Sequence, residues 1–104
     1  MRTYCDNKVG GRRSLIGKYT LATYEVLDAK ITDGTHGGRR TLKLLVGAKQ
    51  EGVPSRAHVD LFGEAGKSFV EDVDVSDIET IIGRELSGVI EKDKNKVVGV
   101  ALKI

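Results

Sequence analysis

The sequence has little of what marks a secreted or membrane protein. Its 104 residues include one cysteine, one proline and no tryptophan, and aromatic residues make up 5% of the chain. The single Cys5 excludes a disulfide within the chain. No uninterrupted apolar run exceeds three residues, so a membrane span is not expected. The first residues also lack the apolar segment of a secretory signal. We therefore expect a cytoplasmic protein with no membrane partner.

Side chains that serve in catalysis or metal binding are few and scattered. His36 and His58 are the only histidines, and neither forms a short motif with metal-ligand spacing. No serine stands between the glycines of a nucleophile elbow. Gly66-Lys67-Ser68 matches the end of a phosphate-binding P-loop, but Leu61 stands where that motif requires glycine. We expect no enzyme activity, no catalytic residues, no metal and no cofactor.

The composition that remains is that of one soluble domain covering residues 1–104, with 39% apolar and 31% charged residues. The charge is unevenly distributed along it. Residues 1–50 contain ten Lys/Arg against four Asp/Glu, whereas residues 51–104 contain seven against eleven. This asymmetry indicates a surface that faces a polyanion. The alternative interpretation is that the two halves attract each other within the domain.

Hydrophobic patterning predicts mainly strands. Residues 1–17 form a polar N-terminal arm with one short strand at residues 3–5. The alternation of residues 18–31 changes parity midway, which predicts a long strand with a bulge or sharp bend. The other strands are expected at residues 41–48, 56–62, 89–91 and 97–104. A loop is expected at residues 63–68, and residues 69–75 fit either a helical turn or an extended segment.

The clearest helix signal lies at residues 76–86. Ser76 and Glu79 have the spacing of a capping box. The apolar residues that follow have helical spacing: Ile78, Ile81, Ile82 and Leu86. The predicted order of elements is that of an OB-fold: a long bent strand, two further strands, a helix and then two strands. We expect a mainly β fold, a small OB-like five-stranded barrel with one α-helix between strands three and four. An SH3-like barrel and an open α+β roll are the alternatives.

The most suggestive functional feature is the glycine-rich turn of residues 34–40, which ends in two arginines. A loop that presents two guanidinium groups can follow a phosphate backbone, and aromatic rings on neighbouring strands can stack on bases. The alternative for each such ring is that it packs in the hydrophobic core. The predicted nucleic-acid-binding residues are Arg39, Arg40, Lys18, Tyr24, Phe62, Arg12 and Arg13, and Tyr19 is a further candidate for stacking.

Several short motifs resemble those of small phage-encoded OB-like proteins of the single-stranded DNA-binding type. They are Gly17-Lys18-Tyr19, Gly37-Gly38-Arg39-Arg40, Ile81-Ile82-Gly83-Arg84-Glu85-Leu86 and Val98-Gly99-Val100, and the resemblance covers residues 15–104. It implies that basic and aromatic residues of the barrel face bind single strands during replication or recombination in the host cytoplasm. Such proteins often recruit partners through a flexible acidic tail. This chain ends instead in Ala-Leu-Lys-Ile, so tail-mediated recruitment is not expected.

Two function hypotheses follow. The first is a non-enzymatic single-stranded nucleic-acid-binding module. The alternative is a protein-interaction, inhibitory or structural module on the same small β-barrel, phage-encoded, that contacts its partner through acidic residues 71–79. A homodimer is also expected, because the apolar strand at residues 97–104 would otherwise leave an unpaired edge.

Overall fold

The fold is an antiparallel sheet with a helical layer on one face. The computed structural model describes residues 2–5, 19–35 and 39–102. Six strands lie in these ranges, in the sheet order β1-β6-β5-β2-β3-β4. They are β1 (Arg2–Cys5), β2 (Tyr19–Thr35), β3 (Arg39–Ala48), β4 (Arg56–Phe62), β5 (Glu85–Glu91) and β6 (Lys96–Leu102). Helix α1 (Glu64–Val73) and a 3-10 turn (Ile78–Ile81) connect β4 to β5.

The mainly β class is confirmed, but the closed five-stranded barrel is wrong. The sheet is open, with β1 and β4 as its two edges. The sixth strand is β1, the short strand predicted at residues 3–5. Its Tyr4 is buried, and the Tyr4 ring meets Phe69 of α1 edge-on at 5.3 Å between centroids. The Tyr4 hydroxyl also donates to Asp72. These contacts fix β1 as an edge strand beside α1.

Strand β2 contains the predicted bulge. Its first half pairs with β5 and its second half with β3, and the register with β3 shifts between Val26 and Asp28. Tyr24 and Val26 are buried before the shift, and Ala29 is buried after it. Leu27 is the extra residue of the bulge, which allows both halves of β2 to present apolar side chains to the same core.

The helix predicted at residues 76–86 is wrong. The chain makes only the 3-10 turn there, capped by the Asp77 carboxylate, which accepts from the Glu79 N–H at 3.1 Å. Gly83 has a φ of 93° and its N–H donates to the Val26 carbonyl at 2.7 Å. This bond draws the chain into the sheet before a second helical turn can form, and Leu86 lies in β5.

Helix α1 begins in the segment predicted as a loop, residues 63–68, and continues through most of residues 69–75, for which the sequence fits either a helical turn or an extended segment. Its buried side chains Phe69 and Val73 pack on the inner face of the sheet. Gly66 allows the helix to lie close to β4, because a Cβ at this position would stand 2.7 Å from the Leu61 carbonyl oxygen. No helix in the described ranges is long and apolar enough to cross a membrane.

Strand β6 is not an edge. It pairs with β5 on one side and with β1 on the other. Its residues Gly99–Leu102 are therefore already paired on the β1 side, which removes the main reason for expecting a homodimer through residues 97–104.

Candidate nucleic-acid interface

The acidic residues are concentrated in the helical layer. Residues 64–79 contain six Asp/Glu and one lysine. This segment lies on the inner side of the sheet, where α1 packs. The carboxylates of Glu71, Asp74, Asp77 and Glu79 are exposed to solvent. The face that carries the helical layer therefore repels a polyanion, and the opposite, outer face of the sheet is the place to seek a basic site.

Two lysines stand side by side on that outer face. Lys30 of β2 and Lys43 of β3 are register partners, so that their Cα atoms are about 5 Å apart. Lys30 is exposed and Lys43 is half-buried. Asp60 of β4 is opposite Lys43 on its other side and is only 8% exposed. Directly opposed like charges destabilise a sheet, and Asp60 supplies one carboxylate position beside the two ammonium groups.

Phe62 lies in the next row of the same face. It is opposite Thr41, which in turn is opposite Thr32. Thr41 is fully buried, whereas Phe62 is half-buried, so part of its ring remains accessible at the end of β4. Phe62 is thus diagonal to Lys43, within the reach of a long side chain. An aromatic surface and an ammonium pair come together at this end of the sheet.

Arg39 and Arg40 begin β3 at the same end. Arg39 is the register partner of Thr35, and Arg40 precedes Thr41. The structure describes the backbone of both arginines. Residues 36–38 of the predicted basic turn are outside the described residues, as are Arg12, Arg13 and Lys18 of the predicted basic surface. We refer to the paired residues 30–35 and 39–43 as the basic hairpin.

Tyr24 does not join this site. Its ring has no solvent exposure and lies in the core, against Gly88 of β5. The Tyr24 hydroxyl donates to the Pro54 carbonyl at 2.5 Å. Burial raises the pKa of this hydroxyl above its ordinary value. Because neither face of the ring is open, the structure places Tyr24 in a core role and leaves Phe62 as the aromatic residue of the site.

Tyr19 lies at the opposite end of β2. It is half-buried and packs on the outer-face cluster of Val89, Val98 and Ala101. It is opposite Glu91 of β5. These positions separate Tyr19 from the basic hairpin by most of the length of β2.

The middle of the outer face holds two carboxylates around one ammonium group. Glu25 and Glu85 are register partners, and the Lys49 ammonium lies 3.7 Å from one carboxylate and 3.9 Å from the other. His58 is exposed on β4 opposite Leu45. No three His, Cys, Asp or Glu side chains converge in the part of the chain that the structure describes. On the described outer face, Lys30 and Lys43 are the lysines that stand directly opposite each other, at the hairpin end.

A cavity of about 570 Å³ lies on the inner side of the basic hairpin. It separates the ends of β2, β3 and β4 from the first two turns of α1, and most of its wall is aliphatic. The lining residues are Ile31, Leu42, Leu61, Gly63, Gly66, Lys67, Val70 and Glu71. Ile31, one of the lining residues, is 38% exposed.

Sequence reasoning missed Lys30, Lys43 and the cavity. Lys30 and Lys43 have the parity opposite to that of Ala29, Leu42 and Leu44, which are buried. That alternation predicts that the two lysines lie on the face opposite the core. The pairing of the two lysines depends on the hairpin register, and the cavity depends on where α1 begins.

Comparisons with models of protein families, with curated proteins and with solved structures found no match. The resemblance to phage-encoded single-stranded DNA-binding proteins therefore stays a hypothesis.

Proposed function

We propose that the chain is a non-enzymatic module that binds single-stranded nucleic acid, DNA in a replication or recombination context, through the basic hairpin. One observation carries the proposal. Lys30 and Lys43 are adjacent on the face of the sheet turned away from the acidic helical layer, and the partly accessible ring of Phe62 lies beside them.

Each part of this surface has a known use in single-strand binding. Ammonium groups neutralise phosphates and release counterions, which provides affinity without sequence preference. A ring such as that of Phe62 can stack on any base. Arg39 and Arg40 precede Lys43 at the start of β3. Their guanidinium groups both pair with phosphates and stack on bases.

A single strand suits this arrangement better than a duplex. Proteins that read the major groove usually insert a helix with a basic face. Helix α1 contains three carboxylates and one lysine, and Asp74 follows directly at its end. Such a helix is repelled by a duplex backbone. A sheet face with an aromatic ring and flanking cations is typical of proteins that bind splayed single strands.

The proposal is tested by the salt dependence of binding to a fluorescently labelled oligothymidine. Each phosphate contact on a single strand contributes a slope of about −0.7 in log K against log salt concentration. The double variant Lys30→Gln plus Lys43→Gln should therefore reduce the slope by about 1.4. The matched control is Lys92→Gln plus Lys96→Gln, which removes the same charge at exposed positions around the β5–β6 turn. This turn is at the opposite end of the sheet.

A control slope that falls as much as that of the hairpin variant would mean that net charge alone governs binding, and the proposed site would be wrong. Absence of binding at low salt would refute single-strand binding altogether. The exposed carboxylates of Glu71, Asp74, Asp77 and Glu79 would then favour the protein-interaction alternative.

A further inference from the structure

We infer that the cavity between the basic hairpin and α1 binds a small cationic amphiphile, a molecule with an aliphatic body and one amine. This site is separate from the proposed nucleic-acid interface. Ile31 and Leu42 line the cavity and are the chain neighbours of Lys30 and Lys43. Successive side chains of a strand point to opposite faces of the sheet, so the cavity and the lysine pair lie on different faces.

The cavity is an open apolar site of the size that small molecules occupy. Its volume of about 570 Å³ lies within the range of small-molecule pockets, about 300–1,000 Å³. Leu42 and Leu61 are buried in its wall, whereas Ile31 is exposed and Val70 is half-buried. A ligand that covers the aliphatic surface of Ile31 and Val70 removes it from water and gains affinity through the hydrophobic effect. An aliphatic body therefore suits this space.

The charged groups beside the cavity select the sign of the ligand's head group. Within the described lining the charged residues are Lys67 and Glu71, which lie one helical turn apart on α1. Glu64 precedes Lys67 by three residues, Asp74 follows Glu71 by three, and both carboxylates are exposed. Three carboxylates and one ammonium group thus follow the same side of α1. Their combined charge is negative, so it attracts a cation and repels an anion.

The C-terminal end of α1 strengthens this preference. The last carbonyl groups of a helix carry a partial negative charge, which favours a cation within the last turn. The last turn of α1 contains no basic residue, and its C-cap is Asp74. Glu71 adds a further carboxylate to this turn, on the side that borders the cavity. An amine placed beside Glu71 supplies the positive charge that the end of the helix lacks.

The test compares three ligands that share one aliphatic body and differ in head group: octylamine, octanol and octanoate. Their dissociation constants are measured at neutral pH and low salt from the amide NMR signals of the isotope-labelled chain. Octylamine should bind at least about fivefold more tightly than octanol, and octanoate should bind most weakly, because the head group lies beside Glu71. The signals of Gly63 and Gly66, which line the cavity, should shift. The signal of Gly52, in the turn between β3 and β4, should not.

Two pairs of variants locate the site. Glu71→Gln leaves Lys67 as the charged residue of the described lining, so octylamine should lose its advantage over octanol. Glu79→Gln removes the same charge from an exposed position outside the lining and should keep that advantage. Val70→Phe fills the cavity and should abolish binding of all three ligands. Ile82→Phe, at a residue 45% exposed and outside the lining, should bind them as the parent does.

The outcomes judge this site apart from the proposed function, because none of them depends on oligothymidine binding. Any other order of affinity in the parent, or an advantage of octylamine that survives Glu71→Gln, overturns the inference. Absence of octylamine binding at millimolar concentration overturns it too, as do shifts that do not include Gly63 and Gly66. Circular dichroism checks that Val70→Phe is folded, and the exposed Glu71 decides the question if it is not.

Discussion

The contact between Gly88 and Tyr24 allows a sharp test of the core. A Cβ added at Gly88 would stand 2.6 Å from Cδ1 and 2.8 Å from Cε1 of the Tyr24 ring. Non-bonded carbon atoms are normally about 3.5–4.0 Å apart, so the ring must move by roughly 1 Å. The ring is fully buried and its hydroxyl is hydrogen-bonded to the Pro54 carbonyl. The Gly88→Ala variant therefore strains a side chain that has no free space.

Overpacking of a core costs about 1–3 kcal/mol, and loss of the hydrogen bond to Pro54 adds about 0.5–1.5 kcal/mol. Replacing a strand glycine by alanine recovers roughly 0.5–1 kcal/mol, so we expect Gly88→Ala to lower the free energy of unfolding by about 1–4 kcal/mol. In a domain of this length the melting temperature should fall by at least about 4 °C. Urea denaturation followed by circular dichroism measures the free energy directly.

Gly47→Ala is the matched control. A Cβ there would stand 2.8 Å from Cδ1 of Leu27, a clash of similar size within another strand. Leu27 is 37% exposed, so it can turn away into solvent. Replacing a strand glycine by alanine also recovers roughly 0.5–1 kcal/mol. The stability of Gly47→Ala should therefore stay within about 0.5 kcal/mol of the parent.

Equal losses of unfolding free energy in Gly88→Ala and Gly47→Ala would refute the reasoning. The two sites differ only in whether the facing side chain has room to move. A third variant adds Tyr24→Leu to Gly88→Ala. Its loss should be smaller than the sum of the two single losses, since removing the ring also removes the clash.

Three further predictions concern charge. Burial raises the pKa of Tyr24, so the stability that its protonated hydroxyl contributes is present below a pH of about 10 and is lost as the pH rises further. Denaturation at pH 8 and at pH 11 should show that the free energy of unfolding declines in the parent and that Tyr24→Phe lacks this decline. Lys49→Gln should cost about 0.2–1 kcal/mol by leaving its two glutamates opposed, and 1 M salt should remove most of that difference in a denaturation experiment. Arg39→Ala plus Arg40→Ala should reduce the salt slope of oligothymidine binding by about 1.4, and an unchanged slope would exclude both arginines from the interface.

The strands could be predicted because their signal is local. Alternation with period two located β3 and β4 within two residues, and the change of parity in β2 indicated the bulge at Leu27. The helical layer could not be predicted in this way. The sequence at Ser76 does have a capping pattern. The turn is nevertheless ended by the hydrogen bond between Gly83 and Val26, and a local pattern cannot predict a bond between residues so far apart in the chain. Helix α1 is stabilised by the burial of Phe69, which outweighs the glycines at its start.

The candidate site was predictable only in part. The uneven charge and the position of Arg39 and Arg40 directed attention to the hairpin. Parity placed Tyr24 on one face of β2 without showing that this face is the core. The juxtaposition of Lys30 and Lys43 required the register of β2 against β3. Side-chain identity thus indicated the kind of surface, and strand pairing determined which residues share it.

The bulge in β2 also constrains how the gene can change length. The two halves of β2 belong to different strand pairs, and Leu27 alone brings them into phase. Deletion of this one residue would turn Ala29 and Ile31 outward and Lys30 inward, because side chains alternate with a period of two. Substitution of Leu27, whose side chain is partly exposed, would be mild by comparison. A gene under selection should therefore accept varied codons at position 27 and reject every single-codon gain or loss between positions 24 and 31.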